Sequence, residues 1–229
     1  MTHDGPSYAD TPRRYGLALV FTGGDRPSAS TLDGLPQPDL TIAADSGVEH
    51  ALALGYPVNL VVGDLDSADP AAVARAEHGG AEVERHPIDK DATDLELALA
   101  AAQARGVAEV VVLGGGGGRL DHFLANALVL ASPPFADLDV RARIGTADLS
   151  VVRTRSALPG RPGDLCSLLA LGGAAVGVRT DGLRFPLRGE TLQPGSTRGV
   201  SNQLVHADAS VSLDGGVLLA VLPEARKAL

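Results

Sequence analysis

The chain of 229 residues has no tryptophan, one cysteine and one methionine, and only seven aromatic residues, four Phe and three Tyr. A lone Cys166 can neither close an internal disulfide nor build a multi-cysteine zinc site. Lysine is nearly missing too: Lys90 and Lys227 stand against 17 arginines. With 28 acidic groups the formal net charge is −9. Scarce aromatics and a negative balance argue against phosphate-neutralising, base-stacking binding of nucleic acid. No apolar run approaches the ~20 residues of a membrane span. Residues 1–15, MTHDGPSYADTPRRY, lack the apolar core of a signal sequence and read as a flexible N-terminal extension. At 45% hydrophobic residues the rest can bury a core. These features together predict a soluble, acidic, cytoplasmic globular protein.

What the chain does have is aspartate, 20 residues against 8 glutamates. Asp favours caps, turns and oxygen-ligand metal sites over helix interiors. Position therefore matters more than number.

Short apolar runs at 16–21, 40–44, 59–62, 81–85, 109–113 and 138–143 read as strands, several buried on both faces. Helix signals lie between them. Ser46 with Glu49 spells a capping box, as does Thr93 with Glu96. Asp69–Pro70 reads as N-cap and first helical residue, and Asp121 as a cap for a helix in which Leu124 and Leu128 share a face. Alternating strands and helices predict a mostly parallel α/β domain over 16–148. From Leu149 onward helical periodicity fades, and short apolar runs alternate with Gly, Pro and Asp turns. Residues 149–229 are expected to form a β-sandwich. Within it, Asp214–Gly215–Gly216 reads as a hairpin turn between runs 204–213 and 217–222.

In the α/β part the aspartates follow strand ends, where ligands of open α/β sheets bind. Asp45 comes directly after the second run. Asp64 and Asp66 follow the third in Gly-Asp-Leu-Asp-Ser, with Gly63 before them and Ser67 behind. Asp91 and Asp94 flank Thr93 at a helix start, where backbone N–H groups favour anions. Asp121 follows the loop Gly114–Gly118 and Arg119. Five carboxylates around one crevice repel one another unless a cation joins them, and an all-oxygen set suits Mg²⁺ with phosphates. Glycines after a strand let backbone amides approach phosphates. Here, however, Arg119 falls where G-x-G-x-x-G needs its last glycine, and neither lysine follows a glycine as a P-loop requires. Dinucleotide binding and P-loop chemistry are disfavoured, while Arg119 suits a phosphate clamp.

Four blocks, AADSG at 43–47, GDLDS at 63–67, KDATD at 90–94 and GGRLDH at 117–122, resemble the thiamine pyrophosphokinase family. GLRFPL at 182–187 and GVSN at 199–202 add two more. The resemblance implies an α/β domain followed by a β-sandwich, and transfer of pyrophosphate from MgATP to the thiamine hydroxyl with release of AMP. It implies Asp64, Asp66 and Asp94 as Mg²⁺ ligands, with Asp45 and Asp121 completing a catalytic acidic pocket. By the same resemblance Gly63, Ser67, Lys90, Thr93, Gly115, Gly116, Gly117, Gly118 and Arg119 serve ATP. Phe185, Ser201 and Asn202, with Asp94 and Asp121, serve thiamine, and the family is homodimeric with sites between subunits. Two departures stand out: Ser46 replaces the first glycine of the family's Asp-Gly-Gly, and Phe185 holds a position that is Trp in some relatives. A related pyrophosphokinase acting on another primary alcohol, such as a hydroxymethylpterin, and a non-catalytic thiamine sensor are the alternatives. Either Asp94 or Asp121 could accept the hydroxyl proton.

Overall fold

A computed structural model describes residues 15–225; most of the expected N-terminal extension therefore lies outside the described residues. Its first half is β1 (Leu17–Phe21), β2 (Leu40–Ala44), α1 (Gly47–Ala53), β3 (Leu60–Gly63), α2 (Pro70–His78), β4 (Glu82–Arg85), α3 (Asp94–Ala104), β5 (Glu109–Leu113), α4 (Leu120–Val129) and β6 (Asp139–Ile144). The second half is all β: β7 (Ala147–Val152), β8 (Arg155–Ala157), β9 (Leu165–Ala170), β10 (Ala175–Asp181), β11 (Arg188–Leu192), β12 (Asn202–Gln203), β13 (Ser210–Ser212) and β14 (Leu218–Leu222).

The six strand runs expected in the α/β part all form, within a residue or so of their expected ends, whereas the run 204–213 shortens to β13 (Ser210–Ser212). β1, β2 and β3 are buried at every position, which explains why they read as unbroken apolar runs instead of alternating ones. β4 is the exception. It is the sheet edge, and its Glu82, Glu84 and Arg85 blunt that edge against further pairing. Arg105 ties Glu82 and Glu84 to α3 at 2.8 Å each.

Helices cover both faces. α1 and α2 pack through Val48, Ala51, Ala72, Val73 and Ala76 on one side. α3 packs through Leu95, Ala98, Leu99 and Ala102 on the other. Each large side chain buried this way contributes roughly 1.5–3 kcal/mol. The first four parallel strands run outward as β1-β2-β3-β4, and the chain then returns through α3 to place β5 on β1's other side. The strand order therefore reverses at β1 and β5, the position that creates a crevice in open α/β sheets.

The two halves share one sheet. Beyond β6 the order continues antiparallel as β7-β14-β9-β12, giving ten strands. The change of texture at Leu149 falls inside β7, and Leu149 and Leu219 pack in the same core as β1, β5 and α3. A second sheet, β11-β10-β13-β8, faces the β9/β14 end. Leu168, Leu187, Leu204, Val211 and Leu218 form the sandwich core between them.

Local details differ from expectation in three places. Asp214–Gly215–Gly216 is no hairpin turn, because β13 belongs to the four-stranded sheet and β14 to the ten-stranded one. The segment instead pairs with Val176, turns at Gly216 (φ 88°) and crosses between sheets, so that Leu213 and Leu218 both enter the sandwich core. Ser46 makes no capping bond; its own backbone is helical, and Glu49 instead accepts from the Asp69 amide of the next helix. Arg119, not Asp121, stands at the N-cap of α4, because the Gly114–Gly118 loop delivers the chain into the helix two residues earlier. The Asp69 and Thr93 caps form, each accepting a backbone N–H, from Ala71 at 2.9 Å and Glu96 at 3.2 Å.

Candidate active site

A crevice of about 580 Å³ opens at the carboxyl ends of the parallel strands, within the usual range for small-ligand sites. Its floor is the loop after β1, its walls the loops after β2, β3 and β5, and the start of α3.

Asp45 follows β2 with φ 48°, a left-handed conformation rare outside glycine, and it is buried. The turn is held because its N–H donates to Val62 at 2.9 Å while its carbonyl accepts from Val48 at 3.3 Å. One carboxylate oxygen, Oδ2, accepts from the Ser67 hydroxyl, and the other, Oδ1, is buried without a partner. Asp64 and Asp66 follow β3, with Leu65 between them also left-handed at φ 63°. Carboxylate oxygens of Asp45, Asp64 and Asp66 lie within 4.8 Å of one another.

Gly63 makes this convergence possible. Its φ of 145° suits glycine alone, and a Cβ there would come within 2.9 Å of Asp94 Oδ1 and 3.4 Å of the Asp45 Cβ. Ser46 also has an explanation. Its hydroxyl fills the space a side chain would need at Gly23, so the glycine there accommodates the serine.

Lys90 reaches between two carboxylates, bonding Asp64 and lying 3.1 Å from Asp94 Oδ1. The Lys90 hydrogen bond outweighs burial and holds the Asp64 carboxyl below its ordinary range. Burial pushes Asp94 up, Lys90 opposes this, and the negative charges of Asp64 and Asp45 add to it. For Lys90 itself burial acts downward, but the two carboxylates prevail and raise it. The pocket thus holds carboxylates with opposite proton affinities a few ångströms apart, a pattern typical of functional sites.

The glycine loop after β5 is zipped to the loop after β1. The Gly115 amide donates to Gly23 at 2.9 Å and the Asp25 amide to Gly116 at 2.7 Å. His50 of α1, buried, anchors the same β1 loop through the Thr22 carbonyl at 2.9 Å. Gly117 and Gly118, both at positive φ, line the crevice. Arg119 lines it too, but its guanidinium pairs with Asp121 at 2.6 Å and both are largely exposed. The guanidinium holds the Asp121 carboxyl down at about 2.

The site residues expected from sequence therefore divide. Asp45, Asp64, Asp66, Ser67, Lys90, Thr93, Asp94, Gly115, Gly117, Gly118 and Arg119 line one crevice. Gly63 lies beneath it, Gly116 is spent on the Asp25 amide, and Asp121 faces outward beside Arg119. Phe185, Ser201 and Asn202 sit together on the β-sandwich, outside the crevice. There Phe185 is 54% exposed, with the Arg184 guanidinium 5.5 Å from its ring centre. Asn202 is buried and grips the Phe185 backbone at both ends, accepting from its N–H at 3.0 Å and donating to its carbonyl at 2.7 Å. Ser201, at φ 55°, turns the chain into that grip.

Thr22, Gly23 and Gly24 complete the floor, and Ile88, Phe123 and Asn126 the rim. The sequence reading omitted all six. The glycine pair Gly23–Gly24, one residue beyond β1, was the available signal.

A parallel sheet that gathers carboxylates, one ammonium and a glycine loop at its switch point defines an enzyme domain that handles nucleotide phosphates. Residues 34–142 match the family model "Thiamin pyrophosphokinase, catalytic domain", and residues 153–218 match "Thiamin pyrophosphokinase, vitamin B1 binding domain". The chain belongs to the thiamin pyrophosphokinase family. It is 24% identical over 213 residues to the thiamine pyrophosphokinase of Bacillus subtilis (strain 168), covering 88% of this chain and 96% of that protein. It is 25% identical over 220 residues to thiamine pyrophosphokinase 1 of Oryza sativa subsp. japonica, covering 90% of this chain and 80% of that one. The crystal structure of the Bacillus subtilis protein superposes with a TM-score of 0.77 at 24% identity, over 90% of this chain and 98% of that chain. That likeness shows a shared fold.

Proposed function

We propose that the protein transfers the pyrophosphoryl group of ATP to the hydroxyl of thiamine, giving thiamine diphosphate and AMP. The observation that carries this reading is the convergence of Asp45, Asp64 and Asp66 beside a glycine loop, in a chain matching both domains of the family.

The donor set fits Mg²⁺. It is all oxygen, the carboxylates of Asp45, Asp64 and Asp66 converge, and Asp45 Oδ1 is a buried oxygen lacking any hydrogen-bond partner. Asp64, Asp66 and Asp94 would hold the ion, with Asp45 beside them. Bound there, it would neutralise triphosphate charge and polarise the phosphoryl oxygens. The amides of Gly117 and Gly118 and the Lys90 ammonium would orient the phosphates, with Arg119 swinging inward from Asp121 to join them. Gly115 and Gly116 would shape the loop, and Ser67 and Thr93 would contribute hydroxyls at its opposite wall. The thiamine oxygen attacks the β-phosphorus as the bond from that phosphorus to the AMP oxygen breaks. The hydroxyl proton passes to a carboxylate. Asp94 is favoured over Asp121, because burial raises its basicity whereas Arg119 holds Asp121 near 2. Phe185 would offer a ring face to the cationic thiazolium, with Asn202 and Ser201 fixing its place.

The reading includes a homodimer. On α4, Leu120, Leu124 and Leu128 form an outward stripe, 69%, 53% and 59% exposed, and no residue of this helix is fully buried. A second copy covering that stripe would also bring another surface to the crevice, since Arg119, Phe123 and Asn126 of the same helix line it. No described helix is long and apolar enough to cross a membrane. ATP dependence and a single cysteine kept as a buried thiol fit the cytoplasm.

Incubating the protein with MgATP and thiamine and quantifying AMP and thiamine diphosphate tests the proposal. Stoichiometric, thiamine-dependent appearance of both is expected. AMP release that thiamine does not stimulate refutes it.

A further inference from the structure

Lys90 is conspicuous by residue type. The chain uses arginine 17 times and lysine twice, and its other lysine, Lys227, lies outside the described residues. The basic group that pairs with the crevice carboxylates Asp64 and Asp94 is thus drawn from the type that the chain otherwise avoids. The chemical difference is specific. A guanidinium presents a planar fork that locks bidentately onto carboxylate, whereas an ammonium is a compact point charge on a flexible stem. An arginine here would be a fixture, and a lysine can leave.

The geometry gives it a place to leave from. The Lys90 ammonium bonds Asp64 and lies 3.1 Å from Asp94, with the side chain only 13% exposed. Asp64 belongs to the Asp45–Asp64–Asp66 cluster, and Asp94 packs against Gly63 at its base. Two of the carboxylates read as metal ligands therefore already hold a cation supplied by the protein. The stem springs from the loop before α3, where the Lys90 N–H donates to Ile88 at 2.9 Å in a tight local turn. The flexible four-carbon stem lets the ammonium move without the backbone.

We infer that Lys90 is a resident counter-ion: in the metal-free protein it takes the electrostatic place of the divalent cation. Metal binding displaces its ammonium toward the phosphate-binding side of the crevice. Metal and lysine thus compete for the same carboxylates, and metal occupancy prepares the lysine for phosphate. This inference rests on the metal-dependent reading above, and it adds an exchange between protein and metal charge that the reading does not require.

Titrating nucleotide-free protein with Mn²⁺, and counting free ion by its EPR signal, reads the competition without any turnover. Wild type, K90M and K90R are compared. Competition predicts that K90M binds Mn²⁺ at least about tenfold more tightly than wild type, since an opposing charge a few ångströms away is gone. It predicts that K90R binds more weakly than wild type, because the fork does not let go. A merely structural lysine would give weaker binding in both variants. Circular dichroism checks that K90M is folded; should it not be, the ordering of K90R against wild type decides. Equal affinity in wild type and K90R, or K90M no tighter than wild type, overturns the inference while leaving the metal site standing. Absence of Mn²⁺ binding by all three removes the metal reading and this inference together.

Discussion

Replacing Asp45 with Asn tests whether this site is built at the expense of stability. Asp45 Oδ1 is a buried oxygen with no hydrogen-bond partner, and its carboxyl group stands within 4.8 Å of those of Asp64 and Asp66. At that distance two like charges at an effective dielectric near 20 repel by about 3.5 kcal/mol. The Lys90 bond to Asp64 offsets much of this, leaving about 1–2 kcal/mol for neutralising Asp45. Asparagine keeps what else the position needs. Its amide oxygen can still accept from Ser67, and it tolerates the φ of 48° better than other non-glycine residues. For a chain of this size 1 kcal/mol moves Tm by roughly 2–4 °C, so D45N is expected to melt about 2–8 °C higher than wild type in EDTA. In excess Mg²⁺ the advantage should shrink or reverse, because wild type then gains a cation that the variant holds less well. Thiamine-dependent AMP release should fall by about 10²-fold or more, the scale on which misplacing reacting groups costs rate. Melting followed by dye fluorescence, with and without Mg²⁺, gives the first result and the AMP assay the second. A D45N protein that melts lower than wild type in EDTA, or that keeps near-normal turnover, refutes the account of Asp45 as a strained carboxylate beside the metal site.

Asn202→Ala strips the grip from the Phe185 backbone and orphans a part-buried amide, costing about 1–3 kcal/mol; KM for thiamine should rise at least about tenfold while KM for ATP holds, as steady-state kinetics with each substrate varied would show. Leu124→Glu puts a charge in the α4 stripe, and light scattering after gel filtration is expected to report a monomer for the variant and a dimer for wild type. In metal-free protein the Asp94 carboxyl should titrate above its ordinary 3.8, because burial raises it in the folded state, as carboxyl-carbon NMR in EDTA would show. Asp121, with its folded value depressed to about 2, is still ionised through that window, so D121N should leave the Asp94 titration in place. Its pairing with Arg119 adds stability only above the unfolded value of 3.8 and loses it as pH falls toward 2.

The strands were readable because each solves a strong physical constraint in few residues. Leu40–Ala44 and Glu109–Leu113 lie between neighbours on both edges and under helices on both faces, so nearly every position must be apolar. The carboxylates were readable for a related reason: strand ends in a parallel sheet share one side, so Asp45, Asp64 and Asp66 converge once their strands are placed. Partners distant in sequence were not. Asn202 bonds a residue 17 positions away, and nothing local separates that clamp from an ordinary turn. Asp214–Gly215–Gly216 supplies the same turn chemistry to a crossing between sheets as to a hairpin. Leu124 and Leu128 do share a face, as their spacing requires, but periodicity does not say whether a face looks inward or outward.

The single sheet that runs from β4 to β12 has a consequence for how this architecture can vary. A catalytic unit and a ligand-binding unit joined by a linker could be exchanged like cassettes. Here a cut between them would open the β6–β7 ladder from Arg141 to Ile144 and divide a core to which both contribute. Neither half is a portable part, and a graft from a relative must carry matching residues on both sides of that ladder. The same ladder forbids the halves from rotating apart without breaking its hydrogen bonds. Any change in the shape of the crevice falls to the loops at the strand tips, where Gly23, Gly24 and Gly115–Gly118 are gathered.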